Sequence, residues 1–189
     1  TGTRLRLQVF GGWSFSSTAL DAAEFAELGY AQGVPMGGTL TAATMLETAQ
    51  APQMLIRAMK DPANANLDRI QVVKGWVDAG GQQYEKVYNV AWSGERSLAS
   101  NGELTSVGNT VDISTGGYTN SIGAEQLSAL WTDPDFSPRQ QAFYYVRVLQ
   151  IPTPRHSLYD SLALQIEVPR EGPATLQERA YSSPIWYTP

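Results

Sequence analysis

One histidine and no cysteine stand among the 189 residues, and that scarcity decides which chemistry the chain can carry out. Hydrolytic zinc takes three protein ligands drawn mainly from His with Asp or Glu, so a zinc centre around His156 would have to be almost wholly carboxylate. A Ser-His-Asp triad would have to use the same His156, yet Ser157 is its direct neighbour, and adjacent strand side chains point to opposite faces. The plainer reading of His156 is a surface or loop histidine. An N-terminal threonine can be a nucleophile with its own amine as base, but Thr1-Gly2 leads directly into a regular strand rather than a cleft.

Carboxylate chemistry is no better specified. With 18 acidic residues some pair comes close in space by chance, so glycoside hydrolysis gains no particular support. Asp61, Asn64, Asn66 and Asp68 put oxygen ligands into one turn, but their spacing misses the twelve-residue calcium loop. Asx-rich turns generally cap their own backbone. Asp133 and Asp135 in TDPDF receive the same reading. No Gly-rich phosphate loop of either common pattern is present. Without cysteine there are no disulfides, thiolate nucleophiles or Cys-type zinc sites, which suits a cytoplasm or a bacterial periplasm equally.

The elements that would have to position any site read as β-structure. The composition, 42% apolar with 10% aromatic, 17 Gly and 11 Pro, supplies a core and the turn residues an all-β domain needs. In TRLRLQVF, Thr3, Leu5, Leu7 and Val9 alternate with Arg4, Arg6 and Gln8, the pattern of a half-buried strand closed by Gly11 and Gly12. ALDAAEFAELGYAQG predicts one short helix, with Thr18 as cap and Gly29 as terminator. GVPMGGTL reads as a turn. Strands follow over Gln53 to Met59 and Leu67 to Val77, with DPANANLD a turn between them.

Asp78-Ala79-Gly80-Gly81 is a hairpin connection. Its return strand puts Tyr84, Lys86, Tyr88, Val90 and Trp92 on one face and Glu85, Val87, Asn89 and Ala91 on the other. Residues 93–119 form an irregular excursion, the most mobile part by composition. Further strands are expected through Leu127, Ala129 and Trp131, over 142–154 with its end at a polar corner, and over 180–187. Of Trp13, Trp76, Trp92, Trp131 and Trp186, most should fill the core, while a sugar platform would need exposure of Trp13, Trp76 and Trp92.

The net charge of −5 opposes attachment to phosphate backbones, so nucleic acid is not an expected partner. No run approaches the roughly 18 apolar residues that cross a bilayer, so neither is a membrane, and no signal peptide is visible.

The motifs LDRIQVVKGWVD, EKVYNVAWS, VGNTVD, WTDPDFSPRQQAFYYVRVLQIPTPR and QERAYSSPIWYTP resemble the C-terminal part of a domain-of-unknown-function family that looks like a branch of the PHP (polymerase and histidinol phosphatase) metal-dependent hydrolases. The resemblance covers essentially the whole chain. It implies that the His, Asp and Glu metal ligands lie in an upstream barrel-like catalytic domain, ending just before the segment similar to TGTRLRLQVFGGWSF. Two positions depart from that pattern: Thr39, where the family reads PMGGDL, and His156, where Trp follows TPR. No catalytic residue is carried over.

The expectation is therefore a mainly β chain, residues 1–189 forming one antiparallel β-sandwich with one short helix and long loops. It is expected to be inactive alone and without a cofactor of its own, its partner being the upstream catalytic domain, which would hold divalent metals. Arg155, His156 and Asp160 are the candidate corner facing that partner domain or substrate, against the simpler possibility of an Arg–Asp clamp within the loop. An enzyme portion predicts an apolar patch near Leu5 to Trp13 and Pro35 to Leu40. Two other classes remain open: an independent carbohydrate or small-ligand module with one aromatic groove, and an assembly domain that pairs subunits into a homo-oligomer.

Overall fold

In the computed structural model, which describes residues 2–20, 23–44, 50–167 and 172–189, two β-sheets face each other across one main core. Thr1 lies outside the described residues. The smaller sheet consists of β1 (Arg6–Gly12), β2 (Gly33–Pro35), β4 (Gln53–Met59) and β7 (Gln126–Thr132) in the order β2-β1-β4-β7. The larger contains β3 (Thr39–Thr41), β5 (Leu67–Val77), β6 (Gln83–Trp92), β8 (Ala142–Gln150), β11 (Arg179–Tyr181) and β12 (Ile185–Thr188). Its order is β3-β12-β8-β5-β6, with β11 also paired to β8. A separate ribbon joins β9 (Thr153–Pro154) to β10 (Thr175–Leu176). The helices are α1 (Phe25–Gln32) and α2 (His156–Leu164).

Period-two alternation explains the layers. Val9, Met54, Ile56 and Ala129 of the small sheet meet Ile70, Val72, Tyr144, Val146, Ile185 and Tyr187 of the large one, all buried. Inward side chains of two twisted sheets interdigitate in this way. The intervening small-sheet residues Phe10, Leu55 and Leu130 face outward, where a second cluster packs them with Phe15, Ala19 and Phe25. Helix α1 forms that cover: Phe10 meets Phe25 edge-on at 6.0 Å and Tyr30 at 5.0 Å.

The structure revises several local expectations. Gly29 does not terminate the helix. It lies inside α1, where a Cβ would come within 2.3 Å of the Phe10 ring, so its lack of a side chain lets the helix close onto β1. The helix runs on to Gln32, and Gly11 and Gly12 belong to β1. Thr18 sits in a single 3-10 turn, Ser17–Leu20, ahead of α1.

A register shift between Ile70 and Gln71 sets Ala91 opposite Ile70 and Asn89 opposite Gln71. The extra residue, Val90, reverses the alternation beyond it. Trp92 therefore stands opposite Arg69, not on the face of Tyr88. The last strand is split at 182–184, where Pro184 has no N–H for the ladder. β3 and β12 pair in parallel, although every other named strand pair is antiparallel. Helix α2 is a second helix where one was expected. Its N-cap is Arg155, without a side-chain cap bond, and it closes at Gln165 with a left-handed φ of 54°, so it lacks the usual start signals.

Candidate functional site

Three internal clamps engage Asn66, Asp68, Lys74, Asp133 and Asp135. At one end of the sandwich, Lys74 is enclosed between the sheets. Its Nζ lies 2.6 Å from Asp133 Oδ2 and donates to the Asp135 carbonyl at 2.8 Å. The Tyr144 hydroxyl donates to the same Asp133 oxygen at 2.7 Å. Burial first, and Asp133 beside it, hold the Tyr144 phenol far above its ordinary value. One step outward, Asp135 accepts from Lys86 at 2.5 Å and from the Tyr88 hydroxyl at 2.6 Å. Those bonds, with Lys86 the larger influence, hold its carboxyl below the usual range. These contacts pin the TDPDF turn across both sheets, so Asp133 and Asp135 act structurally.

The second clamp centres on buried Asp68. It pairs with Arg69 and, at 2.8 Å, with Arg96, and it accepts from Gln177 at 2.8 Å. Arg96 also donates to the carbonyls of Ser93 and Thr105. In the third, Asn66 donates from its side chain to the carbonyls of Asn120 and Ile122, while Asn120 Oδ1 accepts from the Asn66 backbone N–H. The irregular 93–125 segment is thus tied at both ends, despite its loop-like composition. Asp61 caps Ala63 and accepts from Asn64, which makes the DPANANLD segment an Asx turn. Among the described residues, no group of three or more His, Asp or Glu comes together as a metal ligand set.

Helix α2 brings Arg155, His156 and Asp160 close in sequence but does not join them, since no hydrogen bond or ion pair links the three. The Arg155 backbone N–H donates to Ala174 O at 2.8 Å. Its guanidinium lies so close to Gly172 that a Cβ there would come within 2.0 Å of Nη1. His156 and Asp160 are exposed. An Arg–Asp clamp is absent from this corner among the described residues.

In the region expected to carry an apolar patch, Val9, Phe10, Trp13 and Leu40 are buried, Leu5, Leu7, Val34 and Met36 are partly exposed, and a cavity of about 410 Å³ opens beside Trp13, Val34 and Leu40. A contiguous cluster of exposed and half-buried aromatics lies on the outward face of the large sheet. There Phe143 stacks with Tyr145 at 6.4 Å and tilts against Trp186 at 5.5 Å, and Tyr145 lies 6.2 Å from Tyr181. Trp186 is 47% and Tyr181 54% exposed, and Val77 and Val87 extend the same surface.

Beside the aromatics, Arg147 donates to Gln71 Oε1, Gln71 to Asn89 Oδ1 and Asn89 to Gly102 O, at 2.8, 2.8 and 3.0 Å. This satisfied row crosses three strands and ends on the 93–125 segment. At the opposite end of the face, a groove of about 590 Å³ opens over Gly75, beside Phe143, Trp186, Glu85 and Gln141. Of the tryptophans considered for a platform, Trp13 is buried, and Trp76 and Trp92 are partly buried. Trp186 is the exposed one of the five tryptophans. In IWYT the parity already sends Ile185 and Tyr187 inward and Trp186 and Thr188 out.

Residues 1–189 match the family described as Protein of unknown function (DUF3604), and the chain belongs to it. No curated protein and no solved structure matches the chain.

Proposed function

We propose that this member of the family is the non-catalytic β-sandwich portion of a larger, PHP-like metal-dependent hydrolase, supporting its catalytic portion and walling part of the substrate cleft. The outward aromatic face of the large sheet carries this reading. A contiguous apolar surface rich in Tyr, Trp and Phe is the composition of a contact surface, whereas isolated exposed apolar residues are ordinary. The clamps add support, because Asp68, Lys74, Asp133 and Asp135 each have internal partners and are committed to holding loops.

The motif resemblance given above supplies the parent activity. Divalent metals held by upstream His, Asp and Glu residues would activate water against phosphate, phosphonate or sulfate esters. The upstream catalytic portion is then the partner for the Tyr145 and Tyr181 end of the aromatic face, and the groove at the Trp186 end stays open.

The test compares the 189-residue chain with a polypeptide extended upstream by the catalytic portion, using elemental metal analysis and turnover of aryl phosphate and aryl sulfate esters. The expected result is stoichiometric metal and hydrolysis only in the extended protein. Stoichiometric metal with turnover in the 189-residue chain would overturn the reading.

A further inference from the structure

We propose that the groove over Gly75 is a binding subsite for a neutral saccharide ring, stacked on Trp186. The site is complete within this chain, so the inference stands whether or not a catalytic portion lies beside it.

Register builds the groove. Phe143 pairs with both Gly75 and Trp186, Glu85 pairs with Gly75, and Gln83 with Val77. These side chains therefore share the outward face. Gly75 sets the depth: a Cβ there would come within 2.3 Å of the Phe143 ring, so the ring lies across bare backbone and leaves open space above it. The resulting volume of about 590 Å³ is within the range of small-ligand sites, roughly 300–1,000 Å³.

The chemistry of the lining selects the ligand. Trp186 offers a broad exposed ring, and the electron-rich face of an aromatic attracts the C–H face of a sugar. Around it stand Gln83, Glu85, Gln141 and Thr188. None of these four side chains is engaged in a hydrogen bond within the described chain, in contrast to the linked Arg147–Gln71–Asn89 row on the same face. Two amides, a carboxylate and a hydroxyl together donate and accept, which matches sugar hydroxyls that do both.

Charge narrows the class further. Among the described residues Glu85 is the only charged one in the lining, so a phosphate, sulfate or carboxylate would be repelled, and a neutral ring is favoured.

The test is isothermal titration of the 189-residue chain with neutral oligosaccharides of glucose, mannose, galactose and xylose, and with 4-nitrophenyl phosphate and 4-nitrophenyl sulfate as charged aryl probes. Saturable binding of at least one neutral oligosaccharide is expected, weakened about tenfold or more by Trp186→Ala and by Glu85→Ala. Gln141→Ala, at an exposed rim position, serves as a further variant, and thermal unfolding checks that each variant folds. The proposal is overturned if no neutral saccharide binds, if binding survives these substitutions, or if the charged aryl esters bind equally well.

Discussion

The two sheets carry apolar side chains on their outward faces and treat them in opposite ways. On the small sheet, Phe10 and Leu55 are enclosed by α1 and the turn before it, with Phe25 1% exposed. On the large sheet, Phe143, Tyr145, Tyr181 and Trp186 make a comparable cluster. No described element covers that second cluster. Beneath it, on the inward side, Lys74, Asp133 and Tyr144 tie the strands to the 133–138 turn. The contrast is one of cover: one face is closed over by packed apolar residues, while the other is tied from below and left open.

Removing the tie should have the largest effect. Asp133→Ala leaves Lys74 as a buried unpaired charge, and breaking such a pair costs about 3–5 kcal/mol. Urea unfolding monitored by circular dichroism measures the loss. A change below about 1 kcal/mol would mean that the open face is not held from beneath.

On the covered face, Phe25→Ala should cost about 3–5 kcal/mol through a cavity under α1, whereas Trp186→Ala should change stability by no more than about 1 kcal/mol. Equal costs in the same unfolding assay would erase the distinction between the faces.

The smallest effect expected is at acid pH. Asp135, Asp61 and Asp112 titrate below their ordinary value because Lys86, the Ala63 backbone N–H and Ser114, respectively, favour their charged forms. A depressed native value adds stability above the unfolded value, and that stability is lost as pH falls through the native one. Stability should therefore decline progressively below about pH 4. For Asp135 the paired substitution Lys86→Met should flatten part of this decline, and an unchanged profile would remove the Lys86 contribution.

The strand layout was legible in the chain; which outward face would be covered was not. The strands Gln53–Met59 and Leu67–Val77 stood out by β-branched density and flanking turns, and the hairpin at Asp78-Ala79-Gly80-Gly81 by its turn chemistry. Gly29 misled because glycine both ends helices and admits close neighbours, and only the partner, Phe10, decides between the two. Val90 concealed a bulge, which depends on the opposing strand. Helix α2 gave little warning, with no capping Ser, Thr, Asp or Asn before His156. The clamps escaped notice because Lys74 and Asp133 are 59 positions apart in sequence, and no local pattern predicts that they meet. The corner at Arg155, His156 and Asp160 was read from the polar residues that follow the long strand, and the structure places it at the start of α2.

Hydroxyl-radical footprinting of Tyr181 and Tyr145, in the 189-residue chain and in a polypeptide extended upstream by the proposed catalytic portion, tests most directly whether the open face is the proposed contact surface. The account predicts strong labelling of both tyrosines in the chain alone and clear protection in the extended protein, with Tyr30, 65% exposed on the covered side, labelled equally in both. Equal labelling of Tyr181 and Tyr145 in the two proteins would contradict it.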